Sequence, residues 1–357
     1  MGVSLEQERV DAFGRKMVEA LNHAGLALMA SMGHRTGLFD VMSRLPAATS
    51  ERIASEAVLS ERYVREWLGA MATGGVVEYR EGDGTYRLPP EHAAWLTRES
   101  SPNNVAAAMQ FVAVLGYVED QVVEAFRHGR GVPYSAYHRF HEVMAEESAQ
   151  TVVAALAEQI LPLVPGLVDR LAGGIDVLDV GCGSGRAVNE LAANFPKSRF
   201  AGYDFAEEAI VAARREAERR GLSNARFEVR DVAEMGESAA YDLITAFDAI
   251  HDQARPDAVL RNIAEALRPG GTFLMQDISG SSHVHTDLAH PLGPFLYTIS
   301  CMHCMSVSLA CGGPGLGAMW GKEKALQMLR EAGFGPARVE RLPHDPMNYF
   351  YIAAPDS

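Results

Sequence analysis

Along the second half of the chain, short continuous apolar runs alternate with apolar residues at helical spacing. The runs are Val177–Val180, Phe200–Asp204, Ala225–Asp231, Tyr241–Phe247 and Thr272–Asp277, each the length of a buried strand. Helices are predicted from Ala187, from Glu207 to Arg220 before Gly221, and from Pro256 to Leu267. Strands that alternate with helices build a mostly parallel sheet covered on both faces.

The first half carries a different pattern. A long amphipathic run from Glu6 to Met32 predicts one helix, and Gly37–Met42 follows it. Thr49 has the look of an N-cap, and Ser60 of a second one ahead of Glu61–Ala72. In that helix Tyr63, Val64, Trp67, Leu68 and Met71 fall at helical spacing. The strand Val76–Tyr79, a turn at Gly82–Gly84 and a strand Tyr86–Leu88 complete a helix, helix, hairpin order, which is a winged helix. Residues 101–170 read as helical, clearest at Val105–Phe126 and Ser148–Leu171. The expected organisation is a winged unit over 1–100, a helical connector and lid over 101–170, and an α/β domain over 171–357.

Chemistry enters at Val177-Leu178-Asp179-Val180-Gly181-Cys182-Gly183-Ser184-Gly185, a strand running into a glycine-rich turn and then a helix. Such a turn at the carboxyl edge of a parallel sheet suits a nucleotide-type ligand. A dinucleotide fingerprint needs a small residue where this chain has Arg186. Asp179, two residues before the first glycine, suits a cationic amino group better than a diphosphate. Acids recur at the ends of the next two strands, Asp204 and Asp231, and Leu267-Arg268-Pro269-Gly270-Gly271 turns into a later strand.

On these motifs the chain resembles the class I S-adenosylmethionine-dependent methyltransferases, and the likeness extends over nearly its whole length. It is similar above all to bacterial, notably mycobacterial, two-domain methyltransferases. The resemblance implies a Rossmann-like seven-stranded sheet behind an α-rich winged-helix domain, with S-adenosylmethionine as the methyl donor. It implies a donor site made of Asp179, Gly181, Cys182, Gly183, Asp204, Phe205, Asp231, Val232 and Phe247. Asp204 would receive the ribose hydroxyls, and Asp231 with Val232 would face the adenine. In small-molecule O-methyltransferases of this kind the winged unit pairs subunits and closes part of the acceptor pocket.

The acceptor side is less regular. The stretch after Asp277 is rich in His, Met and aromatic residues, as is Gly131–His141. Tyr137, Phe140, Tyr297, Cys301 and Met305 are the candidate acceptor contacts, and their character suits an apolar or aromatic molecule. Cys301, His303, Cys304 and Cys311 have half of a zinc spacing but lack a second Cys-x-x-Cys pair, so no metal is expected. His251, in Ile250-His251-Asp252 after the fourth run, matches a His-Asp pair that holds the general base in caffeic-acid-type O-methyltransferases, except that Gln253 stands where they have Trp. An imidazole of ordinary pKa can take a hydroxyl proton near neutrality. Methyl transfer to a hydroxyl of a small molecule is therefore the expected reaction, with N-, S- or C-transfer as the nearest alternatives.

Net charge bounds the partners. At −14 the chain is a poor match for a polyanion, and residues 1–100 hold 11 Lys/Arg against 14 Asp/Glu. A small-molecule acceptor and a homodimer are expected, with no nucleic acid and no membrane. The competing reading is an S-adenosylmethionine-sensing winged-helix regulator. Four cysteines without a paired framework and the absence of a charged-then-apolar leader suggest a cytoplasmic protein. Glu6 stands where myristoylation requires Ser or Thr.

Overall fold

The computed structural model describes residues 5–356; Met1–Ser4, on which the myristoylation reading partly falls, lie outside them. The chain forms two compact units that divide between Gly116 and Tyr117. Residues 101–170 therefore do not form a body of their own.

The first unit opens with α1 (Gln7–Thr36), which ends at Gly37 in the left-handed conformation. It is followed by α2 (Leu38–Arg44), α3 (Ser50–Ala57), α4 (Glu61–Thr73) and the hairpin β1 (Glu78–Arg80) with β2 (Thr85–Arg87). Thr49 caps α3 by accepting the Arg52 amide, whereas Ser60 makes no side-chain cap on α4. Val64, Trp67, Leu68 and Met71 bury one face of α4 against Phe39, Met42, Ile53 and Ala30, but Tyr63 is exposed. The predicted helix Val105–Phe126 is three pieces, Val105–Ala108, Gln110–Gly116 and Glu119–His128, broken at Met109 and at Tyr117–Val118.

In the second unit the seven-stranded sheet has the order β5-β4-β3-β6-β7-β9-β8. The strands are β3 (Asp176–Val180), β4 (Arg199–Asp204), β5 (Ala225–Val229), β6 (Tyr241–Phe247), β7 (Leu267–Ile278), β8 (Arg338–Leu342) and β9 (Asp345–Ala353). β3 to β7 pair in parallel, while β9 runs antiparallel to both β7 and β8. Alternate residues feed two cores: Leu178, Val180, Ile244 and Phe273 on one face, Val177, Phe200, Leu243 and Leu274 on the other. Buried on both faces, these strands read as continuous apolar runs.

The predicted helix Ser148–Leu171 is also interrupted. An α-helix Phe140–Thr151 passes through 3₁₀ and π turns to a second helix, Leu167–Gly173. Pro162, Pro165 and Gly166 lie in the break, and proline has no amide hydrogen to continue the ladder. Among the described residues, no single helix is long and apolar enough to cross a membrane.

Candidate active site

β3 has β4 on one side and β6 on the other, and its carboxyl end is the point where the chain order reverses across the sheet. Ligands of open α/β sheets bind at such a point. The turn after β3 is held by Tyr203, whose carbonyl accepts the amides of Gly181 and Cys182. Gly181 has φ +69°, and a Cβ there would lie 2.4 Å from the Ala249 Cβ. Gly183 has φ +52° with nothing within 4 Å of its virtual Cβ, so its backbone faces open space. That is the form of a cradle, one wall close-packed and the other bare.

Asp204, at the end of β4, braces this loop. One carboxylate oxygen accepts the Gly183 amide at 2.9 Å and the other the Ala206 amide at 2.9 Å. Each oxygen keeps a lone pair for a ligand. Phe205 beside it is exposed. Asp179 is buried and accepts the Thr245 hydroxyl at 2.6 Å. Burial raises its pKa to about 7, the Thr245 bond opposes the rise and the Asp204 charge adds to it. A buried carboxyl aimed at the loop is poised to ionise against a cation. Cys182 is also pushed up by burial, so it remains a neutral thiol.

Asp231 lies just past β5 rather than within it. It caps the turn Val232–Glu234 by accepting the Ala233 amide, and its second oxygen takes Arg255 at 2.9 Å. Val232 is packed in the core with Met235, and Phe247 closes β6 half-buried. The predicted donor residues thus gather along one edge of the sheet.

His251 is 4% exposed, and its Nδ1 lies 2.8 Å from Asp277 Oδ1. The same oxygen accepts Trp320 Nε1 at 2.9 Å and the Ile278 amide at 2.8 Å. Burial alone would favour neutral imidazole. The Asp277 carboxylate, with Cys304 after it, outweighs burial and holds the pKa well above an ordinary histidine's. A base must be neutral before it can accept a proton, so at neutral pH this pairing opposes the role expected of His251. Asp248, with φ +50°, lies close by, and its Oδ1 is buried without a partner, as is Asp277 Oδ2. Asp248, His251 and Asp277 bring three potential ligand atoms within 4.8 Å of one another. Sequence reasoning missed Asp248 and the His251–Asp277 pair; the signal was an acid at the end of a further strand.

Of the predicted acceptor residues, Tyr137 and Phe140 come together, with 5.9 Å between ring centroids. Tyr137 donates its hydroxyl to the Met302 carbonyl, and Phe140 stacks on His303 at 3.5 Å between centroids and 7° between planes. Cys301 lies on the π-turn Ser300–Cys304, and Met305 opens the helix Met305–Ala310 beside Gly315 and Gly317. Tyr297 instead donates to Asp287 at 2.9 Å. Cys304 is buried and Cys311 exposed, and all four cysteines are free.

Residues 171–333 match a family model described as a methyltransferase domain, and residues 24–98 match the Rv2258c-like winged HTH domain. The chain belongs with the two-domain class I methyltransferases. A stretch of 121 residues, 34% of this chain, is 32% identical to trans-aconitate 2-methyltransferase of Variovorax paradoxus, of which it spans 43%. A stretch of 115 residues, 29% of the chain, is 39% identical to the highly reducing polyketide synthase easB of Emericella nidulans, of which it spans 4%. The chain thus covers less than half of these curated relatives. Human N-acetylserotonin methyltransferase in complex with S-adenosylmethionine shares the fold over the full length of both chains, with TM-score 0.70 and 17% identity. The glycine cradle lies inside the stretch that matches the methyltransferase-domain model.

Proposed function

We propose that this two-domain methyltransferase transfers the methyl group of S-adenosylmethionine to a hydroxyl of a small, largely apolar or aromatic molecule. It would act in the cytosol as a homodimer, without nucleic acid. The observation that carries the reading is the glycine cradle, braced by Asp204, with Asp179 buried beneath it. Asp179, Gly181, Cys182 and Gly183 would hold the amino-acid end of the donor. Asp204 and Phe205 would take the ribose, and Asp231, Val232 and Phe247 the adenine side. When bound, the donor supplies an electrophilic methyl on a sulfonium.

The chain's own part is to bind, align and keep water away, and alignment supplies much of the acceleration in a two-substrate reaction. Tyr137 and Phe140, which pack on each other and on His303, support an apolar acceptor, with Cys301 and Met305 as further candidate contacts. His251 enters as the cationic partner of Asp277 rather than as a free base. In the winged unit, Arg62 pairs with Glu66 and Arg65 with Glu61, so α4 offers little free positive charge to phosphates. Calorimetry with S-adenosylmethionine, S-adenosylhomocysteine and NADH decides the donor. Heat from NADH alone would overturn the reading. Transfer of labelled methyl to a panel of phenols and hydroxy-acids then reads the acceptor class.

A further inference from the structure

His303 is the most anomalous polar side chain of the second unit. It is 2% exposed, and neither Nδ1 nor Nε2 has a hydrogen-bond partner among the described residues. An imidazole left so in an apolar surround loses the hydrogen bonds that water gave it and gains none in return. Its ring is nonetheless fixed. Phe140 stacks on one face, Tyr137 meets it edge-on at 4.7 Å and Tyr134 at 5.2 Å. The backbone that carries it is the π-turn Ser300–Cys304, a local insertion of the kind that aims side chains at functional sites. A clamped, costly and unsatisfied imidazole is intelligible if a ligand supplies the missing hydrogen bond.

Its surroundings say which ligand. Tyr134 links His303 to Phe205, its ring lying 5.9 Å from that phenyl, and Phe205 adjoins the Asp204 that braces the glycine loop. His251, four residues past β6, is near enough for its charge to act on His303. The imidazole is thus tied through Tyr134 and Phe205 to the segment after β4, and by charge to the segment after β6. Burial first, then the charges of His251 and His141, push its pKa well below an ordinary histidine's. The other titratable groups against the cluster are Tyr134 and Tyr137, both pushed up, and the thiols of Cys301 and Cys304. His303 is therefore neutral where His251 is charged.

We propose that His303 is the catalytic base of the transfer, receiving the hydrogen bond of an acceptor hydroxyl on a planar, phenol-like molecule held against Tyr134 and Phe140. The inference rests on the reading of the chain as an S-adenosylmethionine-dependent methyltransferase. In the step, the acceptor oxygen forms a bond to the methyl carbon as the carbon–sulfur bond breaks and its electron pair returns to sulfur. The hydroxyl proton passes to a His303 ring nitrogen and then to water. The two histidines divide the work: His251 with Asp277 is a fixed charge pair, and its field keeps His303 unprotonated.

The test uses the full-length protein with labelled S-adenosylmethionine and a phenol acceptor, read as turnover against pH. Wild type should hold its rate to a lower pH than an ordinary histidine base would allow, and His303→Asn, which keeps polarity without a basic nitrogen, should lose that pH dependence. His303→Phe guards against misfolding of the Asn variant, and both should bind S-adenosylmethionine as wild type does. With labelled donor and a phenol acceptor, His303→Asn should lower turnover by roughly 10²–10⁴. If His303→Asn shows the same turnover and the same pH profile as wild type, the proposal falls while the donor reading stands. Failure of wild type to bind S-adenosylmethionine would instead remove the reading on which it rests.

Discussion

At the residue scale, the site is built from carboxylates with different duties. Asp204 does two jobs, bracing Gly183 and facing the expected ribose. Asp204→Ala should weaken S-adenosylmethionine binding by about 1–3 kcal/mol, read by calorimetry, since a charged acceptor is lost. Asp179 makes donor affinity depend on pH. Its pKa of about 7 leaves it partly protonated at neutrality, and only the ionised form pairs with the donor's ammonium. Affinity should rise as pH increases through about 7, and the slope should flatten in Asp179→Asn; an unchanged slope would place the proton elsewhere. Asp277 binds His251, Trp320 and its own neighbour's amide through one oxygen. Asp277→Ala should destabilise the fold by about 3–5 kcal/mol in urea unfolding, because it strands a buried cation.

At the element scale, α1 is the outlier. Every described residue up to Gly25 is exposed, although Val10, Phe13, Met17 and Leu21 fall on one stripe that Leu28 and Met32 continue. A helix about 45 Å long with a bare apolar seam is the surface that the proposed homodimer would use. The proposed homodimer should therefore dissociate on Leu21→Arg with Phe13→Arg, seen as a halved mass in light scattering. A monomeric wild type would remove the claim. Elsewhere the elements follow their apolar periods, and the predicted helices depart at Met109, at Tyr117–Val118 and between Val152 and Gly166, a stretch that includes Pro162 and Pro165.

At the scale of the whole molecule, the second unit carries buried acids that await a cation. Asp179 and Glu147 are raised to about 7, and Asp252 to about 6, burial being the first cause in each. Their unfolded values lie near 4, so between about pH 4 and 7 the folded state binds more protons than the unfolded one. Their contribution to stability is complete below the unfolded pKa and is lost as pH rises through the folded one. His251, also raised, acts with the same sign; His303, lowered, acts against it, losing stability as pH falls below about 6.5. With the acids dominant, the melting temperature of the ligand-free protein should fall between about pH 5.5 and 8, and S-adenosylmethionine should restore part of the loss.

The sequence by itself determined the parallel sheet, the winged unit and the donor edge. All of these rest on short-range rules: apolar period, glycine turns, and an acid closing successive strands such as Asp204 after β4. Local pattern also located His251, because it follows a strand directly. Its protonation was not legible, because Asp277 is 26 positions away and only the pairing of β6 with β7 brings the two ends side by side. Likewise nothing local marks His303 as the histidine without a partner. It becomes so only when the segment around Tyr134–Phe140, more than 160 residues earlier, folds over the π-turn and excludes water. Charge state and solvation are properties of the assembled surroundings, and those were decided by the tertiary structure.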